Sequence, residues 1–288
     1  MKTIPAATLD ALRRYAAPFA DVLPPALAAF AGRDPVFPYA PGSPRGLAVL
    51  LLAAALHWPD GEEAAVRALA WLHARFGEDL FRLNRVPFEA LAEAVLASGA
   101  YPDEGERKRV PGILRSACDF LDAKGPLDAW LASADREARV RELAGAVYWM
   151  GKSSLLKNKA RYFFWLVARA AELKGGTLPP AGLAPDPKAP AFAWPVTEGH
   201  GRFYQDFLRA PLSAGLDPAR RLALFADLAR KAFDARGEAG WRLYPALEAY
   251  LRRGGPLVFR CREAQGGCRP CPLNARCPAA KHFLPAEK

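Results

Sequence analysis

The stretch CREAQGGCRPCPLNARC, residues 261–277, holds four of the five cysteines in a chain of 288 residues. The spacing is C-x6-C-x2-C-x5-C, formed by Cys261, Cys268, Cys271 and Cys277. Four thiolates within one short loop can bind a tetrahedral Zn²⁺ or the four iron corners of a cubane. Zinc ribbons usually present two close pairs set well apart, whereas this loop has a single close pair. The spacing therefore favours a [4Fe-4S] cluster, with a structural zinc or disulfides as the alternatives. The tight turns that such a loop requires are expected at its glycines and prolines, namely Gly266, Gly267, Pro270, Pro272 and Pro278.

The composition is that of an ordinary soluble protein with a strong positive charge. Hydrophobic residues make up 51% of the chain, and the net charge is +10. The most apolar run, residues 47–56, is far shorter than the roughly 20 residues that span a bilayer, and the N-terminus lacks the apolar core of a signal peptide. We therefore expect a cytoplasmic protein that binds no membrane and keeps its thiols reduced. The positive charge favours nucleic acid as a partner, although an arginine-rich proteome would produce the same balance.

Helical periodicity runs through most of the sequence. Residues 47–56 are apolar on every side, which is typical of a central buried helix. The segment RKRVPGILRSACDFLDAKG, residues 107–125, carries one apolar stripe, and we expect Pro111 in its first turn and Gly125 directly after its end. No segment has a convincing alternation of the kind that strands show, so the predicted fold class is all-α. The proline-rich residues 174–195 are predicted to connect two lobes.

The cysteine loop, and CRPCPLNARC at residues 268–277 in particular, resembles the iron–sulfur loop of the endonuclease III and adenine DNA glycosylase family. That family belongs to the helix-hairpin-helix superfamily, and the resemblance spans roughly residues 45–280. It implies two helical lobes, and we expect a monomer that binds double-stranded DNA. The implied boundaries are a six-helix barrel of residues 45–173, a helix-hairpin-helix near residues 143–162, and a second lobe of residues 1–44 and 174–288 with the cluster loop at residues 261–277.

In that family the cluster is structural, and basic residues around it approach the DNA backbone. The hairpin stretch ELAGAVYWMGKSSLLKNKARYFF lacks the family's Gly-x-Gly, so we expect Lys152, Lys157 and Lys159 to supply by charge what the glycines supply by geometry. His57 follows the buried helix, where the family has a DNA-contacting residue; packing against Trp58 is the alternative. The resemblance also assigns phosphate contacts to the arginines of the loop, namely Arg260, Arg262, Arg269 and Arg276.

The resemblance implies a DNA glycosylase that flips out a damaged or mispaired base and cleaves its N-glycosidic bond. Bifunctional members attack the sugar C1′ with a lysine amine, and Lys159 matches that lysine best, with Lys152 and Lys157 as the alternatives. Nearly all members also use an aspartate in a Val-Asp-x-His segment, and WPVTEGHGRFYQDF aligns either Glu198 or Thr197 with it. Both residues could instead form the cap and first turn of a helix. The alternative function is a non-catalytic [4Fe-4S] DNA-binding protein on the same fold.

Two aromatic residues and the fifth cysteine lie outside these motifs. Tyr148 and Trp149 precede the hairpin lysines, and we expect them to pack in the core, with stacking on a flipped base as the alternative. Cys118 lies beside the apolar stripe of residues 107–125 and is predicted to be a buried residue without a chemical role.

Overall fold

Every regular element in the described residues is helical, which confirms the all-α prediction. The computed structural model describes residues 4–31, 34–57, 61–132, 135–173, 192–208, 218–236, 238–250, 260–278 and 280, with only the backbone of Glu198 and Leu208. None of the helices in these ranges combines the length and apolar character that crossing a bilayer requires. The α-helices are α1 (Ala6–Ala20), α2 (Pro25–Ala28), α3 (Pro44–Leu56), α4 (Glu62–Phe76), α5 (Phe88–Ala97), α6 (Glu104–Lys124), α7 (Leu127–Leu131), α8 (Arg136–Ala146), α9 (Asn158–Ala170), α10 (Glu198–Leu208), α11 (Pro218–Ala232), α12 (Leu243–Ala249) and α13 (Arg260–Ala264).

The chain divides into two compact units, Leu23–Ala184 and Met1–Val22 together with Pro185–Lys288. The sequence-based boundary near residue 45 differs from this division, because the segment that contains α2 packs with the first unit. α2 contacts α3, α4 and α9, and the backbone N–H of Ala26 donates to Oε1 of Glu62 at 3.0 Å. The other boundary, predicted after residue 173, falls outside the described residues.

The central helix of the Leu23–Ala184 unit is α3. Every residue from Gly46 to Leu56 is buried, as the apolar run predicts. Ser43 caps the helix, because its Oγ accepts the N–H of Gly46 at 3.1 Å. A Cβ on Gly46 would lie 2.1 Å from the carbonyl oxygen of Ala40, so this close approach requires glycine. α4, α6, α7 and α9 pack around α3.

α6 begins earlier than the sequence analysis predicts. Oδ1 of Asp103 accepts the N–H of Glu106 at 2.8 Å, and the helix starts at Glu104. Pro111 therefore lies inside the helix instead of in its first turn, where it removes one backbone hydrogen bond. The predicted stop is confirmed, since Gly125 follows the helix with a φ of 65°.

The second unit is organised around α1 and α12, which pack against each other. α11 contacts α1, and α10 contacts α12. The first turn of α10 comes very close to α12, because a Cβ on Gly199 would lie 1.8 Å from the carbonyl oxygen of Leu247. The largest side chains of this core lie on α1 and α10 and directly after α11 and α12, and they include Leu12, Tyr15, Phe203, Phe207, Phe233 and Tyr250.

Candidate metal centre and hairpin lysines

The four clustered cysteines lie in one short segment, residues 260–278, which we call the cluster loop. It begins with α13, turns at Gly266 and Gly267, and ends after a short 3₁₀ helix at residues 274–276. Both glycines have positive φ, 67° and 124°, which only glycine adopts readily. The turn is closed by a hydrogen bond from the N–H of Gly267 to the carbonyl of Arg262 at 2.9 Å. The expectation that these glycines make tight turns is confirmed.

Few of the cluster loop's side chains are buried. Leu273 is 3% exposed and packs into the core formed by α1, α10 and α12. Two side-chain hydrogen bonds join the loop to α1: Nε2 of Gln265 donates to the carbonyl of Tyr15 at 2.7 Å, and Nη1 of Arg276 donates to Oγ1 of Thr8 at 3.2 Å. The loop is therefore attached to its unit at a small number of points, and its interior is lined by thiols.

A cavity of about 390 Å³, part of it open to solvent, lies within this loop. Its wall includes the side chains of Tyr15 and Tyr250 from the core. All five cysteines of the chain are described, and each is a free thiol. Within the described residues, no three His, Cys, Asp or Glu side chains stand close enough to hold one metal ion. The four thiols that line the cavity belong to Cys261, Cys268, Cys271 and Cys277.

The thiols perturb one another, which shows that they share one environment. Burial raises the pKa of Cys271, and the other three thiols of the loop raise it further. Burial also raises the pKa of Cys268, while the guanidinium of Arg262 lowers it. Partly buried thiols around one cavity are suitable ligands for a soft metal centre, which binds the deprotonated form. The donor chemistry of the four thiols therefore fits an iron–sulfur cluster, whereas in the described residues they stand too far apart to hold a single ion.

One core tyrosine makes contact with the ligand set. Oη of Tyr250 donates to Oδ2 of Asp206 at 2.8 Å and lies 3.9 Å from Sγ of Cys277. Burial is the first cause of the raised pKa of Tyr250, so the hydroxyl keeps its proton and acts as a donor. The hydroxyl has a single proton, so Asp206 and the sulfur of Cys277 compete for it, and the contact with the sulfur is the longer and weaker of the two. Sequence reasoning missed this residue because it lies outside the cysteine motif.

The four arginines assigned to DNA do not share one environment. Arg269 and Arg276 are exposed on the cluster loop, although Arg276 also binds Thr8. Arg262 lines the cavity and acts on Cys268, so its charge is directed at least partly toward the thiols. Arg260 is half-buried at the start of α13. The exposed pair is therefore better suited to phosphate contacts than the other two.

The segment between α8 and α9 forms an eleven-residue connection, residues 147–157, which we call the hairpin loop. Three of its residues have positive φ: Trp149, Gly151 and Lys157. Nζ of Lys157 donates to the carbonyls of Lys152 and Ser154, each at 3.2 Å. This lysine thus stabilises the loop itself. Lys152 is exposed, so the charge predicted to replace the Gly-x-Gly glycines is available at residue 152 and is used internally at residue 157.

An ion pair that the sequence analysis missed holds the hairpin loop between its helices. The side chain of Arg161 on α9 is 3% exposed, and its Nη1 and Nη2 donate to the two carboxylate oxygens of Glu137 on α8 at 2.7 and 2.6 Å. Its Nε donates to the carbonyl of Leu156 in the loop at 2.9 Å. A planar guanidinium can make all three contacts at once. The signal in the sequence is an arginine inside the apolar run of α9.

Lys159 lies in the first turn of α9 and reaches the end of α3. Its Nζ donates to the carbonyl of Ala55 at 2.9 Å. Burial lowers the pKa of Lys159 to about 8, and the carboxylate of Glu106 opposes that shift. His57 follows α3 directly, and its ring stacks on Tyr162 with centroids 4.5 Å apart. Lys159 and His57 are therefore both at the C-terminal end of α3, and Trp58, the predicted neighbour of His57, lies outside the described residues.

The segment aligned with Val-Asp-x-His forms the start of α10. The backbone N–H of Thr197 donates to Nδ1 of His200, with the two nitrogens 3.2 Å apart. Oγ1 of Thr197 lies 3.1 Å from the same ring nitrogen. Burial lowers the pKa of His200 to about 3, so the ring is neutral at physiological pH. Thr197 therefore has the contacts of a helix cap, which is the structural alternative stated above. The side chain of Glu198 lies outside the described residues.

The aromatic residues before the hairpin lysines are exposed, contrary to expectation. Tyr148 is 51% exposed and Trp149 is 42% exposed, so the prediction that they pack in the core is wrong. The buried residues of this loop are Val147 and Met150, which lie on either side of the two aromatic residues. The predicted burial of Cys118 is confirmed, and this burial raises its pKa to about 11.

Comparison of the chain with family models, with curated proteins and with solved structures finds no match.

Proposed function

We propose that this protein is a [4Fe-4S] DNA-binding protein of the endonuclease III type that removes a damaged or mispaired base. The observation that carries the proposal is the common cavity of the four cysteines, in a loop that also exposes Arg269 and Arg276. A tetrahedral zinc site with Zn–S bonds of about 2.3 Å would bring all four sulfurs within about 4 Å of one another. A cubane separates them further and fills more of such a cavity.

The cluster would be held by Cys261, Cys268, Cys271 and Cys277, and it would act as a cross-link within the loop. The thiols must lose their protons to act as ligands. The pKa values of Cys268 and Cys271 are raised, so positive charge close to the sulfurs is needed to favour their deprotonated forms near neutral pH. Arg262 contributes part of that charge beside Cys268. With the loop stabilised in this way, Arg269 and Arg276 can contact phosphates with little further loss of entropy.

Lys159 is the proposed nucleophile for a lyase activity. With a pKa of about 8, a substantial fraction of its amine is neutral near neutral pH, whereas an ordinary lysine with a pKa of about 10.4 is almost fully protonated. In the reaction the Nζ lone pair forms a bond to C1′ and the C1′–N bond of the base breaks. The base leaves with the electron pair and takes up a proton. A carboxylate can stabilise the positive charge that develops on the sugar, and Glu198 is assigned that role from the sequence alone.

The second candidate function is DNA binding without catalysis. Two observations favour it. Nζ of Lys159 already donates to a carbonyl at the C-terminal end of α3, where a cation is stabilising for structural reasons. Thr197 and His200 likewise have a capping arrangement that needs no catalytic explanation.

The test is base release from a panel of lesion-containing duplexes, combined with borohydride trapping of any lysine adduct. Three variants are compared with the wild type: Glu198→Gln, Lys159→Gln and, as a matched control, Lys108→Gln, which changes an exposed lysine that is assigned no contact with DNA. The proposal expects loss of base release in Glu198→Gln with DNA affinity retained, and loss of the trapped adduct in Lys159→Gln alone. If the wild type releases no base and traps no adduct on any lesion, the non-catalytic function is correct.

A further inference from the structure

The hairpin loop exposes two adjacent aromatic rings. The ring centroids of Tyr148 and Trp149 are 5.9 Å apart with the planes tilted by 52°, and both side chains are among the most exposed large apolar residues described. Exposed aromatic surface is costly in water, so its retention at one place in a loop suggests a ligand that covers it. The two rings belong to the Leu23–Ala184 unit, whereas the four clustered cysteines belong to the other unit.

The backbone holds Trp149 in a conformation that an isolated tryptophan avoids. Its φ is 64°, a left-handed backbone angle that a non-glycine residue adopts only at an energetic cost. The residues on each side fix it there: the N–H of Tyr148 donates to Oγ of Ser116 on α6 at 2.9 Å, and Met150 is fully buried with its N–H bonded to the carbonyl of Val147 at 3.2 Å. Trp149 is therefore exposed at a turn whose neighbouring residues are held in place by hydrogen bonds and burial.

Positive charge surrounds the rings. The guanidinium carbon of Arg109 lies 4.5 Å from the centroid of the Trp149 ring, within the range of a cation–π contact. Arg109 is exposed on α6, and the exposed Lys152 follows Trp149 by three residues. The ring of Tyr148 packs against Gly112 of α6, where an added Cβ would lie 3.7 Å from the nearest ring carbon. Aromatic faces and exposed cations are thereby combined on one surface.

We propose that Tyr148, Trp149 and Arg109 form a binding site for an unpaired nucleobase of single-stranded DNA or RNA. A base stacks on the exposed aromatic surface, and Arg109 and Lys152 contact the neighbouring phosphates. Sites of this kind combine stacking surfaces with positive charge and tolerate different bases, because every base has a π-face. The site requires neither the cluster nor base excision, so it goes beyond the function proposed above. The same features would suit the surface of an anionic membrane, which the test therefore includes.

The test measures binding of a fluorescein-labelled oligo-dT to the complete protein by anisotropy. A strand of equal length that lacks its bases serves as the ligand control, and vesicles with anionic lipid serve as the membrane arm. Trp149→Gly removes the ring and relieves the positive φ, so this variant is expected to keep its fold. Tyr148→Ala is the second variant, and Trp71→Ala, which removes a similarly exposed tryptophan from α4, is the protein control.

We expect Trp149→Gly and Tyr148→Ala each to weaken oligo-dT binding by about tenfold or more, and Trp71→Ala to leave it unchanged. The base-free strand should bind more weakly, and the aromatic substitutions should not change its affinity. Equal affinity of both strands for the wild type, unchanged oligo-dT binding by the two variants, or loss of vesicle binding alone would overturn the proposal. Iron content and base release do not depend on this site, so its failure is distinguishable from failure of the proposed function.

Discussion

The hairpin loop and the cluster loop are both short, basic and rich in residues with positive φ, yet they are stabilised by different means. In the hairpin loop, Met150 is fully buried and Arg161 bonds simultaneously to Glu137 and to the loop carbonyl of Leu156. The cluster loop buries Leu273 and otherwise surrounds a cavity lined by thiols. Side-chain packing and a buried ion pair can account for the first loop. For the second loop, we propose that a metal centre bound by the four thiols supplies the stability that side-chain packing does not.

The largest expected effect is the loss of one cysteine ligand. Cys271→Ser should abolish iron binding and brown colour, because the energy of a structural metal site is on the order of 10 kcal/mol and is coupled to folding. Hydrogen exchange in residues 260–278 should rise strongly, while protection in α8 and α9 stays unchanged. Cys118→Ala, which alters a cysteine remote from the motif, is the control and should keep the iron. If residues 260–278 of iron-free Cys271→Ser keep their protection from hydrogen exchange, the cluster loop does not need a metal for its stability, and the two loops do not differ in this respect.

Glu137→Gln should have the largest effect on the hairpin side. It leaves the guanidinium of Arg161 buried without its carboxylate, and breaking such a pair costs about 3 kcal/mol, the lower end of the usual range, because the side chain of Glu137 is 41% exposed. Urea unfolding measures this loss. Glu104→Gln breaks an exposed pair with Lys108 and should leave stability unchanged. Equal unfolding midpoints for the two variants would show that the buried pair does not stabilise the loop.

Lys159 makes a pH-dependent contribution to the stability of its unit. Its pKa is about 8 in the folded chain and 10.5 in a free side chain, so between these values the unfolded chain binds more protons. The free energy of unfolding contributed by this lysine therefore increases as the pH rises from about 8 to about 10.5, by about 3 kcal/mol in total. Urea unfolding at pH 7.5 and pH 10 should show the wild type gaining stability relative to Lys159→Gln. Lys152→Gln should follow the wild type at both values, and parallel behaviour of all three proteins would contradict a lowered pKa.

The smallest expected effect concerns the surface of the cluster loop. Arg269→Ala should weaken duplex DNA binding modestly and reduce the slope of log affinity against log salt by about 1, as expected for the loss of one phosphate contact. Arg75→Ala, which removes an exposed arginine from α4, should leave the slope unchanged. An identical slope for wild type and Arg269→Ala would show that this residue does not contact DNA.

The sequence was sufficient for the helical class, the buried α3 and the glycine turns of the cluster loop, because each depends on local periodicity or on a special backbone angle. It was insufficient where side chains from distant segments meet. The approach of Lys159 to Ala55 and the pair of Arg161 with Glu137 are contacts of this kind. The position of residues 23–44 also depends on packing, since α2 carries no motif that indicates which unit it joins. Tyr148 and Trp149 were predicted to be buried because aromatic residues usually are. Both side chains are exposed in the structure, and the backbone angle that accompanies this exposure, the positive φ of Trp149, leaves no signal in the sequence.

The most direct measurement is the content of iron and acid-labile sulfide in protein purified without oxygen. We predict about four iron and four sulfide ions per chain, with a broad visible absorption that disappears in Cys271→Ser. Colourless protein that contains stoichiometric zinc, or no metal at all, would contradict the proposal that the four cysteines of the cluster loop bind a [4Fe-4S] cluster.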